Sequence, residues 1–308
     1  MQKSFGRMDT EHEDLIHDLS YDFYGRRLAT CSSDQKIKVW DQTEDGSWKL
    51  TYEWKAHSGS IWKVAWAHPE FGNIIASCSF DRTVCIWEEE EDNKGEKSWK
   101  GRATLVDSRE SVTDIKFAPR HHGFKIAACS LDGYVRTYEA MDVTNLAHWT
   151  LSEEFEAQKG PVSCIAWNPS PSDPRPLMAV GGAESSVKIW EYNEMARRWV
   201  QLETLDGHKD SIHDISWAST SGRSYHLIAT ASKDKKVKIW KFTNNPSPKT
   251  DLISTLEGHK SEVWRVEWNI LGTILASSGD DGRIRLYRTD FMGEWKCLSE
   301  ILGDDAEE

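Results

Sequence analysis

The chain has 308 residues, with 38 Lys and Arg against 50 Asp and Glu, a net charge of −12 and a pI near 5.4. With no Lys/Arg cluster, this balance argues against direct binding to nucleic acid or to an anionic membrane surface, both of which call for a basic face. No apolar run approaches the roughly 18 to 20 residues of a membrane span, and the opening MQKSFGRMDTEHED lacks the apolar stretch of a signal peptide. A soluble protein of the cytosol or nucleus, without direct membrane insertion, is therefore expected.

Taken in chain order, the sequence repeats one unit six times. An acidic residue is followed six positions later by an aromatic one: Asp34 and Trp40, Asp81 and Trp87, Asp132 and Tyr138, Glu184 and Trp190, Asp234 and Trp240, Asp281 and Tyr287. The aromatics stand 47, 51, 52, 50 and 47 residues apart. A period near 40 to 50 residues with this flavour marks the blades of a WD-repeat propeller. The repeats span about 12–54, 57–105, 108–155, 158–205, 208–256 and 259–302, in one domain covering 1–308.

Each unit reads as four short strands. The first strands, such as IWKVAW from Ile61 and VSCIAW from Val162, alternate or are rich in β-branched and aromatic residues. The second strands end in small residues (RLATCS, IIASCS, KIAACS, LMAVGG, LIATAS, ILASSG), which allow neighbouring blades to approach closely. The third strands (KIKVW, TVCIW, YVRTY and their counterparts) alternate β-branched with polar side chains, and a more polar fourth strand follows each. Connectors such as NPSPSDPRP at 168–176 break the strands. The acidic run from Glu88 to Asp92 reads as a solvated loop. No long helical pattern interrupts this all-β chain.

The recurring His, Ser/Thr, Asp and aromatic residues look catalytic one at a time. Four units carry the set: His12, Thr30, Asp34 and Trp40; His57, Ser77, Asp81 and Trp87; His208, Thr230, Asp234 and Trp240; His259, Ser277, Asp281 and Tyr287. In the third and fourth units Ser108 and Gln158 replace the His, and Ala128 and Val180 replace the hydroxyl. An enzyme needs one Ser-His-Asp site, whereas four copies suit a structural chain of hydrogen bonds worth ~1 kcal/mol each. No nucleotide-binding or metalloprotease motif is present. The six cysteines include no CxxC pair, which fits a reducing compartment, and His121-His122 lacks further ligands at metal spacing. The chain reads as a non-enzyme without metal or cofactor.

A propeller must close, and six units leave no spare strand. Either the ring closes with six blades, or it stays open and exposes two apolar blade faces that demand a partner. Candidate interface residues beside such a gap are Phe5, Leu15 and Ile16 in the first blade, within the 4–14 segment and the strand from Leu15 to Phe23, and Trp264, Trp268, Phe291 and Trp295 in the sixth. A closed ring could instead read a peptide on its top face through His17, Lys63, Asp114, Cys164, His213 and Arg265, taken as equivalent first-strand positions.

DLIHDLSYDFYGRRLATCSSDQKIKVWD, HSGSIWKVAWAHPEFGNIIASCSFDRTVCIWEE, SVTDIKFAPRHHG and VWRVEWNILGTILASSGDDGRIRLY closely resemble the Seh-type nucleoporin propellers over essentially the whole chain. A COPII-coat-type propeller is the sister alternative. The resemblance implies an open six-bladed propeller of the nuclear pore Y-shaped (outer ring) subcomplex, completed by a blade from an α-helical solenoid nucleoporin. It also implies other Y-complex subunits as partners, and a second role with SEA/GATOR subunits in TOR signalling at the vacuolar or lysosomal surface. The family carries no catalytic residues.

Overall fold

The computed structural model describes residues 8–303 except 221 and 246. It contains six four-stranded antiparallel sheets, the blades of an all-β propeller. Among the described residues, helix is limited to two short 3₁₀ turns, Pro69–Phe71 and Arg120–His122. The chain forms two compact units, one of residues up to 117 together with 140–150, the other of residues 118–139 together with those from 151 onward.

In the first unit, blade 1 consists of Ile16–Tyr21, Arg27–Ser32, Lys36–Gln42 and Trp48–Lys55, and blade 2 of Ile61–Trp66, Ile74–Ser79, Val84–Glu91 and Lys97–Leu105. In the second unit, blade 4 begins with Val162–Trp167 and Leu177–Gly182, blade 5 with Ile212–Trp217 and His226–Ser232, and blade 6 with Val263–Trp268 and Ile274–Gly279. Neighbouring strands in these blades pair in chain order. A β-bulge follows the first residue of each first strand, at Ile16/Asp18, Ile61/Lys63, Val162/Cys164, Ile212/Asp214 and Val263/Arg265. The bulge corrects one sequence reading. The paired third position holds Asp18, Lys63, Cys164, Asp214 and Arg265, so His17 and His213 are bulge residues and do not belong to that series.

Packing within each unit is serial. The first strand of blade 2 lies on the first and second strands of blade 1, and the same relation joins blades 4, 5 and 6. Small residues make this possible: Ala29, Ala76, Ala127, Ala179 and Ala229 are all fully buried. A Cβ added at Gly181 would stand 3.0 Å from both Ile212 Cγ2 and Ile215 Cδ1, tighter than ordinary contact.

The acidic run is not a loop. Glu88 to Glu91 continue the third strand of blade 2, with Glu88 opposite Lys100 and Glu89 opposite Trp99. Arg102 Nε donates to Glu88 at 2.7 Å and Lys100 Nζ to Glu90 at 2.8 Å. Cross-strand cations offset the repulsion that a run of carboxylates alone would suffer.

Serial packing predicts unequal costs for one substitution at matched positions. Ile212→Ala should lower unfolding stability by about 3 kcal/mol, in the range for emptying a packed site, and Ile16→Ala by less than about 1. Urea denaturation of the two variants measures the difference.

Candidate functional site: polar clasps and outer blade faces

Each clasp draws on a loop, a turn and two strands. In blade 2, His57 precedes the first strand, Ser77 lies on the second, Asp81 in the turn after it and Trp87 on the third. His57 Nδ1 lies 3.0 Å from Asp81 Oδ2, His57 Nε2 lies 2.8 Å from Ser77 Oγ, and Trp87 Nε1 donates to Ser77 Oγ at 3.0 Å. Blades 1 and 5 repeat this geometry. His12 is 2.7 Å from Asp34 and 2.9 Å from Thr30, whose Oγ1 accepts from Trp40 at 3.2 Å. His208 is 2.9 Å from Asp234 and 2.7 Å from Thr230, which accepts from Trp240 at 3.0 Å.

The Asp oxygens also take backbone amides. Asp81 accepts from the Ser58 and Thr83 N–H groups, and Asp234 from those of Lys209 and Lys236. The turn residue that follows is left-handed in Gln35, Arg82 and Lys235. In blade 3, the sheet of Val112–Phe117, Lys125–Ser130, Tyr134–Ala140 and Trp149–Glu156, it is Gly133, where a Cβ would come within 2.5 Å of the Gln158 carbonyl oxygen.

Proton directions in these chains follow from donor chemistry. An indole N–H only donates and an ionised carboxylate only accepts. In a neutral imidazole, Nδ1–H donates to Asp, so Nε2 accepts from the hydroxyl, and that oxygen accepts from the indole; the imidazolium of His57, charged at neutrality, instead donates from both nitrogens, to Asp81 and to Ser77. The order resembles a hydrolase triad, but Ser77 is fully buried, with its oxygen accepting from the Trp87 indole beneath the blade surface. An oxygen so occupied has no path to a substrate carbonyl.

Blade 6 differs in one member. His259 lies 3.0 Å from Asp281 and 2.6 Å from Ser277, while Arg285 Nη1 stands 2.7 Å from His259 Nδ1 and donates to Asp281 at 2.8 Å. Tyr287 stands in place of the indole, and burial raises the pKa of its hydroxyl against a hydrogen bond with Ser277. In blade 3, Arg136 donates to Asp132 at 2.8 Å and Glu154 at 3.1 Å. In blade 4, Lys188 Nζ lies 2.9 Å from Glu184. Both cations stand in the third strand where Lys38 and Lys238 stand elsewhere.

The imidazoles are tuned in opposite directions. Burial opposes charge on His57, but Asp81 and Cys85 overcome it and raise the pKa to about 9. Burial outweighs Asp234 at His208 and lowers its pKa. Burial also lowers that of His259, against Asp281 and with help from Arg285. At Asp81 and Asp281 burial raises the pKa, but hydrogen-bond partners lower it on balance, led by His57 and Arg285 respectively.

Several of the third-position charges are engaged with one another and with backbone. Lys63 is buried between Asp18 at 3.7 Å and Asp114 at 4.0 Å, and Asp18 and Asp214 accept the Val64 and Val266 amides from the first strand of the next blade. Among the described residues, no His/Cys/Asp/Glu group could hold a metal, and no helix is long and apolar enough to cross a membrane. His121 is exposed and His122 half-buried in the Arg120–His122 turn.

The outer blade faces break the pattern of burial. Ile61, Val112, Val162, Ile212 and Val263 open their first strands fully buried, whereas Ile16 is 43% exposed at the same position. Three residues on, Val64, Ile115, Ile165, Ile215 and Val266 are at most 3% exposed, whereas Leu19 is 56% exposed. Leu15, Tyr21, Phe23 and Tyr24 are exposed as well, with the Phe23 ring 4.9 Å from that of His68. In blade 6, Ile284 is 43% exposed where Ile37, Val84, Val135, Val187 and Val237 are buried, and Leu298 and Leu302 are exposed near it.

The sequence-based interface set divides accordingly. Leu15, Ile16 and Phe291 are exposed, and Phe5 lies outside the described residues. Trp264 is 46% exposed but stacks on His213 at 4.1 Å. Trp268 is a correction: it is 8% exposed, its Nε1 donates to the Ser216 carbonyl and it sits in the core shared by blades 5 and 6, with Trp295 packed against it. Leu19 and Tyr21 lie within the Leu15 to Phe23 strand that the sequence offers as interface, whereas Ile284 lies outside the sequence-based set. Their signal is position, since each matches a buried residue in other repeats.

The family model "WD domain, G-beta repeat" matches residues 4–41, 48–88, 149–191, 199–241 and 250–288. The unmatched 89–148 include most of blade 3, where the clasp residues are replaced. The chain is 50% identical to Nucleoporin SEH1-A of Xenopus laevis over 318 residues, covering 96% of this chain and 87% of the relative. It is also 50% identical to Nucleoporin SEH1 of Homo sapiens and of Danio rerio, covering 96% of this chain with 88% and 86% of those relatives.

Two outcomes test the clasps. His208→Ala, which leaves Thr230 and Asp234 without their shared partner, should cost about 2 kcal/mol in chemical denaturation. Stability should also fall on both sides of neutrality. The lowered pKa values of His208 and His259 give a contribution that is complete above an unfolded value of roughly 6.5 and is lost as pH falls. The raised pKa of His57 gives one that is complete below roughly 6.5 and is lost as pH rises toward about 9. Denaturation midpoints measured from pH 5 to 9 should show the alkaline loss reduced in His57→Gln.

Proposed function

The chain belongs to the SEH1 nucleoporin family of WD-repeat proteins, and we propose on that premise that it is a non-catalytic scaffold subunit of the Y-shaped outer-ring subcomplex of the nuclear pore. Its ring is completed in trans by a blade from an α-helical solenoid nucleoporin. The observation that carries this reading is the exposure of Ile16 and Leu19, whose counterparts in five other blades are buried. A first strand whose apolar side lacks a neighbour's small-residue face calls for an equivalent face from another chain. Such an interface should bury on the order of 2,000 Å².

The buried clasps and the paired charges of Lys63 and Asp18 support a structural over a catalytic or peptide-reading role. The family resemblance extends the proposal to a second assembly, the SEA/GATOR complex at the vacuolar or lysosomal surface, and the same apolar faces would serve there. A COPII-coat-type assembly is the competing outcome.

Purification of the endogenous protein should recover an α-helical solenoid nucleoporin in stoichiometric amount. The double variant Ile16→Asp, Leu19→Asp alters exposed side chains, so it should fold yet lose that companion. Retention of the companion by the variant, or isolation of the wild-type chain as a stable monomer without it, would overturn the proposal.

A further inference from the structure

Two places in the molecule are built from the same parts, and they hold their cations differently. In the first unit, the Arg27 guanidinium lies 5.3 Å from the Trp66 ring and 5.6 Å from the Trp99 ring. Its Nε donates to Asp41 at 2.9 Å, and its two terminal nitrogens donate to the two Glu89 oxygens at 3.0 and 2.8 Å. This is a guanidinium on an aromatic shelf with a bidentate carboxylate, each a strong mode of arginine recognition. Tyr52 adjoins it, its pKa raised by burial and then by Glu89.

The second unit repeats the arrangement. Lys125 stands opposite Glu139 as Arg27 stands opposite Asp41. Tyr192 stands opposite Trp199 as Glu89 stands opposite Trp99. Trp167 ends its first strand as Trp66 does, and Glu153 is the fifth residue of Trp149–Glu156 as Tyr52 is of Trp48–Lys55. The phenol and one carboxylate have exchanged places, but the inventory of two indoles, one phenol and two carboxylates is unchanged. In the remaining blades the residue at the Arg27 position is aliphatic: Ile74, Leu177, Leu227 and Ile274.

The difference is the cation. Among the described residues, Lys125 Nζ pairs with Glu139 alone, at 3.5 Å. Beside it is a cavity of about 110 Å³ lined by Trp167, Trp199, Tyr192, Glu139 and Glu153. On this measure one water needs roughly 10 to 15 Å³, so the space admits a group of guanidinium size. Among the described residues no ion pair holds the Glu153 carboxylate. Lys125 balances one of the two carboxylates. His122 on the rim is neutral at pH 7, its pKa lowered to about 4 by burial and by His121. One net negative charge faces the cavity.

We propose that this cavity takes the guanidinium of an arginine side chain presented by a partner polypeptide, as blade 1 takes its own Arg27. A planar fork can lie on the indoles and donate to both carboxylates. A trimethylated lysine can use the rings but has no N–H to give the carboxylates.

The probe is N-acetyl-arginine amide, titrated into the full ¹⁵N-labelled chain and followed through the indole N–H resonances of Trp167 and Trp199. Saturable shifts at these two indoles with a Kd in the millimolar range are expected. Glu153→Gln should weaken binding several-fold. Lys125→Arg should abolish it, because the new side chain fills the cavity from within as Arg27 does. The absence of shifts at these indoles, undiminished binding to Lys125→Arg, or tighter binding of N-acetyl-trimethyllysine amide would each overturn the proposal.

Discussion

The structure depends on one packing constraint: a blade's first strand is buried only when the small-residue face of the preceding blade lies against it. Ala29, Ala76, Ala127, Ala179 and Ala229 are fully buried because each lets another blade approach. The energy is in the apolar side chains pressed onto those alanines, roughly 1.5 to 3 kcal/mol for each fully buried Ile, Leu or Val. Ile16 and Leu19 gain only part of it, and Ile284 is in the same position at the other end of the repeat series. A repeat that stabilises itself by contact between neighbours leaves its terminal members short. Blades 1 and 6 are complete four-stranded sheets, so what they lack is burial of apolar side chains on their outer faces, not strands.

The clasps serve the same constraint from another side. They fix the turn between second and third strands, and with it the register that keeps the alanines facing a neighbour. They also show how a polar chain can resemble a catalytic triad and do different work. The decisive atom is the Ser77 or Thr230 oxygen, which accepts from a tryptophan and lies in the core. Where the histidine is replaced, an ion pair from the third strand takes over the turn aspartate or glutamate, through Arg136 or Lys188. Blade 6 shows both devices at once, with Arg285 beside His259.

Much of this was legible in the sequence. The six-fold recurrence of an acidic residue six before an aromatic located every third strand, and the residue types of the clasps located their members. Side-chain facing was harder. The bulge after Ile16, Ile61 and their counterparts puts one extra residue in each first strand, so counting from the strand start mixed His17 and His213 with residues of the opposite facing. Trp268 has the composition of an interface residue but closes the core shared by blades 5 and 6. The run from Glu88 to Glu91 looked like a loop because its stabilising cations, Lys100 and Arg102, come from the next strand. Each miss reflects a contact between elements that local sequence does not encode.

Repetition nevertheless gives the sequence a resource that single domains lack, because each position carries its own controls. Exposure of Ile16 means little alone, since surface apolar residues are common. Set against five buried counterparts, it singles out the first strand of blade 1. The same comparison separates Arg27 from Lys125. Both stand at one repeat position among indoles, a phenol and two carboxylates, so the repeat cannot explain why one cation reaches the rings and the other does not. The shorter reach and different hydrogen-bonding of an ammonium can. In a chain of near-copies, the informative residues are those where one copy departs from the rest while its surroundings stay the same.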